Sequence, residues 1–410
     1  MNEFDVIVVG AGAAGCFAAI QTATHFPNAR IAVLEKSTKS LVKVKVSGGG
    51  RCNVTNVLTH PDELSKAYPR GERFLKKAFY QFSSSDMVAW LKVRNVDLKA
   101  QSNGCYFPVT DSSQTIIDCF LTELKRAQIP ILTQQQVVEI TKLNPDKFEL
   151  KSTANIFYAK SVIVTAGGQP KQAGFDFLRN FGLKVVSPVP SLFTFNLPKH
   201  PIVELMGLAQ DPVLVKLAGE KWSSKGSLLI THWGMSGPAI LKCSAIGARI
   251  LEQKGYNASF SVNWTGIEKQ QEVAEALQEL LNSSKQVQNL SVFGIKNRLW
   301  LYLLSKAAIS TQAIASDLSQ KQRNKLLETL VNDVYVMCGK TTFKEEFVTA
   351  GGIDLHEINN QTMESKKYPG LFFAGEIMDI DGITGGYNFQ AAWTTAYIAG
   401  KNALNPINVS

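Results

Sequence analysis

Gly10-Ala11-Gly12-Ala13-Ala14-Gly15 stands directly behind the apolar run Val6-Ile7-Val8-Val9, and this juxtaposition restricts the fold more than any other feature of the chain. About twenty residues further on, Glu35 closes a second apolar run, Ile31-Ala32-Val33-Leu34. Strand, glycine turn, helix, strand and acidic residue in this order form the dinucleotide-binding fingerprint. Gly10 permits the tight turn out of the strand. Gly12 has no Cβ to obstruct a pyrophosphate, and Gly15 lets the helix pack close to the sheet. The helix start at Ala13 and Ala14 offers unpaired N–H groups and a positive dipole end to phosphates. Glu35 is expected to accept from a ribose 2′-OH and to repel a 2′-phosphate.

A chain of 410 residues calls for two or three domains. A further strand is expected at Ser161–Thr165, ending in Ala166-Gly167-Gly168, and another very late, at Leu371–Ala374. The α/β nucleotide fold therefore reads as split, with parts at 1–188 and 346–410. Residues 189–266 and 332–345 carry short β-favouring runs broken by Pro and Gly and read as a β-rich insert. Residues 267–331 repeat Val273, Leu277, Leu281 and Leu299, Leu303 at helical spacing and read as a helical subdomain. No stretch approaches the ~18 uninterrupted apolar residues of a bilayer span. No basic n-region precedes the first strand. Six cysteines are scattered without a C-x-x-C pair, which argues against a redox dithiol or a zinc knuckle and for a reducing cytoplasm.

Four further segments carry chemistry. Ser47-Gly48-Gly49-Gly50-Arg51-Cys52-Asn53 suggests a backbone drawn close against a flat ligand, with Arg51 and Asn53 able to meet phosphate, ribose or ring oxygens. Ala166-Gly167-Gly168 leaves room for adenine or ribose at a strand end. Thr231-His232-Trp233-Gly234-Met235-Ser236-Gly237-Pro238 places Pro238 at a helix start and makes His232 either an acid/base group or a structural histidine. In the fourth, Gly375 and Glu376 follow a strand, with Asp379 close behind. Glu376 or Asp379 could hold ribityl hydroxyls. Gly385-Gly386-Tyr387-Asn388 then opens a helix whose N–H groups suit the carbonyl edge of a flavin, where negative charge collects on reduction. Lys36 and Lys43, which follow Glu35, complete the expected cofactor-binding set.

GAGAAG with Glu35, SGGGRCNVTN, THWGMSGP and TMESKKYPGLFFAGEIMDIDGITGGYNFQAAW together resemble the bacterial FAD flavoproteins described as HI0933-like or BaiN-like. The resemblance covers nearly the whole chain. It implies an FAD-binding Rossmann-like domain of the glutathione-reductase type, split by a β-rich subdomain that carries a helical one. It also implies non-covalent FAD, reduction by transiently bound NAD(P)H, and hydride transfer to an activated C=C bond. Members are linked to bile-acid intermediates and to a uridine of large-subunit ribosomal RNA, which becomes dihydrouridine. Such chemistry needs a proton donor, and the candidates are Cys52, His232 and Tyr387, in that order. One departure stands out: Cys105, in Gly104-Cys105-Tyr106-Phe107-Pro108, replaces an arginine usual in the family.

An RNA partner gains support from the net charge of +9 and from residues 66–82, where cations and aromatics interleave. For that stretch taken alone the favoured reading is an amphipathic helix with aromatics inside and lysines in water. Two alternatives remain beside the RNA reductase: an FAD oxidoreductase of a small enone or amine, and a non-catalytic flavin-holding protein.

Overall fold

A computed structural model of the chain describes residues 2–341 and 348–405. They form two compact units: residues up to Ser191 together with the stretch from 348, and residues from Leu192 to 341. The expected boundaries at 345 and 346 lie outside the described residues.

In the first unit, residues Val6–Val9 of β1 (Glu3–Val9) and all of β2 (Ile31–Leu34) are unbroken apolar runs because they are covered on both faces. They pair in parallel, Val6 opposite Ile31. The parallel sheet runs Ile131–Leu132, β2, β1, Ile156–Val164 and Leu371–Phe373. The last of these is the late strand, and Leu371 sits opposite Val162. Two antiparallel strands, Val137–Asn144 and Lys147–Ser152, join the sheet through the first half of Ile156–Val164. This is the expected Rossmann-type α/β fold.

Helix α1 (Ala13–His25) packs against the C-terminal helix Tyr387–Asn402. Gly400 allows the close approach, since a Cβ there would stand 2.6 Å from the Ala18 carbonyl oxygen. Around this contact Trp393 is fully buried and stacks on Phe120, ring centroids 5.2 Å apart.

The second unit is a small β-barrel. Its strands Asp333–Cys338, Asn257–Asn263, Ala209–Leu217, Ser224–Thr231, Gly234–Ser236 and Thr194–Asn196 pair in that order. Thr194–Asn196 then pairs with Lys340–Thr341, which continues the first strand past Gly339, so the sheet closes on itself. Alternation along Asp333–Cys338, with Tyr335 and Met337 buried and Val334 and Val336 exposed, marks the inside and outside of the barrel. The helical stretch expected at 267–331 is present, but its Leu277, Leu299 and Trp300 share one apolar core with the barrel residues Val215, Phe260 and Met337. The two textures read from composition therefore form one packed body.

Candidate nucleotide and flavin site

The glycine turn at the end of β1 is built for close approach. A Cβ on Gly15 would stand 1.8 Å from the Gly10 carbonyl oxygen and 2.6 Å from Thr165 Oγ1. Gly10 has φ +105°, and a Cβ there would meet the Thr165 carbonyl at 2.7 Å. The first turn of α1 leaves the N–H groups of Ala13, Ala14 and Gly15 without intrahelical acceptors. Glu35 braces the turn. One carboxylate oxygen accepts from Ala11 N–H (2.8 Å), and the other accepts from Ser37 N–H (2.8 Å) and Ser37 Oγ (2.7 Å). Lys36 lies next to it, exposed.

The chain then turns back, Leu41 N–H donating to the Ala11 carbonyl (2.9 Å), into helix α2 (Val42–Gly50). Helical geometry breaks at Ser47, and Gly48, Gly49 and Gly50 all have positive φ (57°, 68° and 83°). Three left-handed residues in a row favour glycine, which explains the triplet. Arg51 lies over the ring of Phe107, 4.2 Å from its centroid. Along this wall several glycines face open space. A Cβ on Gly12, Gly49, Gly50 or Gly167 would meet nothing within 4 Å.

The C-terminal segment reaches the same wall. A Cβ on Gly375 would stand 2.9 Å from the Ala14 side chain. The Glu376 carboxylate accepts from Lys43 Nζ (2.9 Å) and from Thr349 N–H (2.9 Å). Gly168 lies beneath it: a Cβ there would stand 2.5 Å from Glu376 Oε1. Ala166 is half-buried at the strand end. Asp379 is half-buried too, and its N–H donates to the Ile353 carbonyl (3.0 Å).

At the far end, each residue of Asn53-Val54-Thr55-Asn56 bonds to the C-terminal segment. With its amide oriented to satisfy both neighbours, Asn53 accepts from Gly386 N–H (3.0 Å) and donates to the Thr55 carbonyl (3.1 Å). The Val54 carbonyl accepts from Trp393 Nε1 (3.0 Å). Thr55 Oγ1 donates to Gln390 Oε1 (2.6 Å), and Asn56 Nδ2 donates to the Gly385 carbonyl (3.0 Å). Asn388 closes the turn on itself, donating to the Gly382 carbonyl (2.9 Å) and accepting from Gly382 N–H (2.8 Å). Asn53 thus spends one donor and one acceptor of its amide on the protein backbone.

The proton-donor candidates separate. Cys52 is 0% exposed, and burial pushes its thiol up to about 12. A thiol enclosed by protein touches no substrate, so Cys52 loses its first place. Tyr387 is 8% exposed at the mouth of the C-terminal helix, and burial, with Cys105 nearby, pushes its phenol up to about 12. It therefore holds its proton at neutral pH. His232 lies in the second unit, exposed, in the tight turn between Ser224–Thr231 and Gly234–Ser236.

Residues 66–82 also turn inward. Tyr68, Phe79 and Phe82 are buried. Arg70 forms an ion pair with the fully buried Asp381, which also accepts from Ser191 Oγ (2.7 Å). Lys76 pairs with Asp62 (2.6 Å). The interleaved cations and aromatics are largely a core-and-support pattern, the amphipathic reading of this stretch; only Tyr80 among these aromatics is exposed.

Sequence reasoning missed Asn56, Tyr68, Asp381 and Thr349 as parts of this region. Asn56 closes the motif SGGGRCNVTN, and that position was the only signal available. The Tyr68 hydroxyl donates to the Tyr387 carbonyl (2.6 Å) across the fold, which no local pattern announces.

Helix N-termini, open glycines and flanking cations at the end of a parallel sheet define a Rossmann-type dinucleotide-binding protein, and the open space over Gly12, Gly49, Gly50 and Gly167 fits a flat, phosphorylated ligand. The chain belongs to the HI0933-like family: the profile of the HI0933-like protein Rossmann domain matches residues 4–402. It is 29% identical to a ribosomal RNA dihydrouridine synthase of Escherichia coli (strain K12), over 98% of this chain and 99% of that one. It is 27% identical to a 3-dehydro-bile acid delta(4,6)-reductase of Clostridium scindens, again over 98% of this chain and 99% of that one. Among solved structures, a flavocytochrome c3 fumarate reductase superposes with TM-score 0.51 at 16% identity, covering 98% of this chain and 78% of that one. A 3-ketosteroid delta1-dehydrogenase from Sterolibacterium denitrificans gives 0.51 at 12% identity, covering 99% and 100%. These superpositions speak for the fold.

Proposed function

We propose that this chain, an FAD-dependent oxidoreductase, transfers hydride from NAD(P)H through non-covalent FAD to an activated C=C bond, with a uridine of large-subunit ribosomal RNA as substrate. The observation that carries the reading is the joining of distant segments. Ala11, Lys43 and Asn53 tie the N-terminal turn, α2 and the Gly385-Gly386 turn into one wall. Bound there, the flavin would supply two-electron transfer at its ring.

The chain's own residues have separate tasks in this proposal. The N–H groups of Ala13 and Ala14 receive the pyrophosphate, with Gly10, Gly12 and Gly15 keeping the approach open. Glu35 and Lys36 would meet the adenosine end, with Ala166 and Gly167 leaving room at a strand end and Gly168 beneath Glu376. Lys43, Glu376 and Asp379 would hold the ribityl chain. Ser47, Gly48, Gly49, Gly50 and Arg51 would hold the ring, and the first turn at Tyr387 and Asn388 would favour negative charge on its carbonyl edge. Tyr387, protonated at neutral pH, would give the proton. Lys39 and Lys45, both exposed, offer cations to an RNA backbone. The six free thiols suit a reducing cytoplasm. Among the described residues no helix is long and apolar enough to cross a membrane.

The second reading, a small enone in place of RNA, is favoured by the inward-facing aromatics of residues 66–82. Nucleoside mass spectrometry of ribosomal RNA from a strain lacking the gene decides between them. Loss of a dihydrouridine, restored by the wild-type gene, is the expected result; an unchanged nucleoside profile moves the substrate to the small-molecule class.

A further inference from the structure

One peptide unit in this protein is held from both sides by asparagine side chains. The Gly385 carbonyl accepts from Asn56 Nδ2 (3.0 Å), and the N–H of Gly386, in the same peptide plane, donates to Asn53 (3.0 Å). Asn56 is itself fixed, its Oδ1 accepting from Leu58 N–H (3.3 Å), and it is 3% exposed. Glycine is required beside the clamp: Gly386 has φ +86°, and a Cβ there would stand 2.6 Å from the Thr55 carbonyl oxygen. The clamped plane immediately precedes Tyr387, the first residue of a sixteen-residue helix. Its orientation sets where the free N–H groups of that first turn point. From the other side the Tyr68 hydroxyl holds the Tyr387 carbonyl (2.6 Å).

We infer that Asn56, acting with Asn53 on the 385–386 peptide, is a positioning residue that aims the C-terminal helix N-terminus at the flavin and so sets how strongly the reduced cofactor is held. This rests on the reading that a flavin lies at that terminus. Neither asparagine touches the reacting atoms in this role. A helix N-terminus stabilises negative charge only within its first turn, so a small rotation of the 385–386 plane weakens its hold on a reduced, more negative ring more than on an oxidised one.

The test is Asn56→Leu, close in size and without the donor, studied in the full chain. FAD affinity is followed by fluorescence titration, the flavin midpoint potential by equilibration with redox dyes, and apo-protein melting by calorimetry. The expected result is a tenfold or greater loss of preference for reduced over oxidised flavin, a potential shift of about 30 mV to the negative for a two-electron couple. A variant with wild-type affinity and potential overturns the inference. So does one that melts earlier and loses both redox forms equally, because the clamp then serves stability alone. Asn56→Asp keeps the size and the Leu58 bond and carries the test if Asn56→Leu does not fold. Its potential should return toward wild type as pH falls and the carboxyl regains a proton to donate, and a pH-independent deficit counts against the clamp. Wild-type protein that takes up no FAD overturns the flavin reading instead.

Discussion

The two glycine turns each open a helix, but by opposite routes. The turn at residues 10–15 is assembled mostly from its own neighbourhood, with Thr165 as a remote wall. Its brace is Glu35, 24 positions from Ala11, and a Cβ on Gly15 would meet Gly10 first. The turn at 385–388 is assembled from the far end of the chain. Asn56 reaches Gly385 across 329 positions, and Tyr68 reaches Tyr387 across 319. A turn built locally can be recognised as a motif, whereas a turn built by remote side chains exists only once the fold has closed.

That contrast can be broken by substitution. Gly15→Val strikes the local turn and should have the largest effect. Its side chain would overlap the Gly10 carbonyl, so soluble yield and FAD uptake should both collapse, checked by expression and flavin absorbance. Arg70→Met strikes the remote support. It leaves Asp381 buried without its cation, a change that costs about 3–5 kcal/mol by precedent, measured by urea unfolding at neutral pH. Burial already holds the Asp381 carboxyl above its ordinary value, against Arg70. A raised carboxyl makes the folded state the better proton binder, so stability of the variant should recover as pH falls through that raised value and worsen as pH rises through it.

Gly386→Ala comes next. A Cβ at φ +86° and 2.6 Å from the Thr55 carbonyl should cost about 1–3 kcal/mol, with little effect on the N-terminal turn. Calorimetry gives the first quantity, and retained binding of ADP, a fragment that needs only the N-terminal end, checks the second. The smallest stability effect belongs to Lys43→Ala. Its pair with Glu376 is half exposed on the lysine side, so the loss should stay within about 0–1 kcal/mol. FAD affinity should nevertheless fall severalfold, because the residue lines the wall between the two turns.

How much of this was legible follows the same division. The first βαβ unit could be read residue by residue, because apolar runs, glycines and Glu35 all act over short range. The late strand Leu371–Phe373 was legible as a strand. Its apolar run also announced burial, though not that it would pair with Ile156–Val164. The aromatics of 66–82 were legible as an inward face, but the partner of Arg70 was not, since sequence spacing cannot tell an arginine aimed at solvent from one aimed at Asp381. Cys52 shows the same limit: it stood first among the proton-donor candidates, while packing left it fully covered.

The amino-acid order alone determined the backbone rules of the site. It fixed where left-handed geometry is tolerated, where a helix must start with free N–H groups, and which runs must be buried. Those rules follow from missing Cβ atoms and apolar periodicity, which are properties of neighbouring residues. Tertiary structure alone decided which polar groups are spent on the protein and which stay free for a ligand. A hydrogen-bond donor such as Asn56 or Arg70 has no fixed role until folding brings an acceptor within about 3 Å of it.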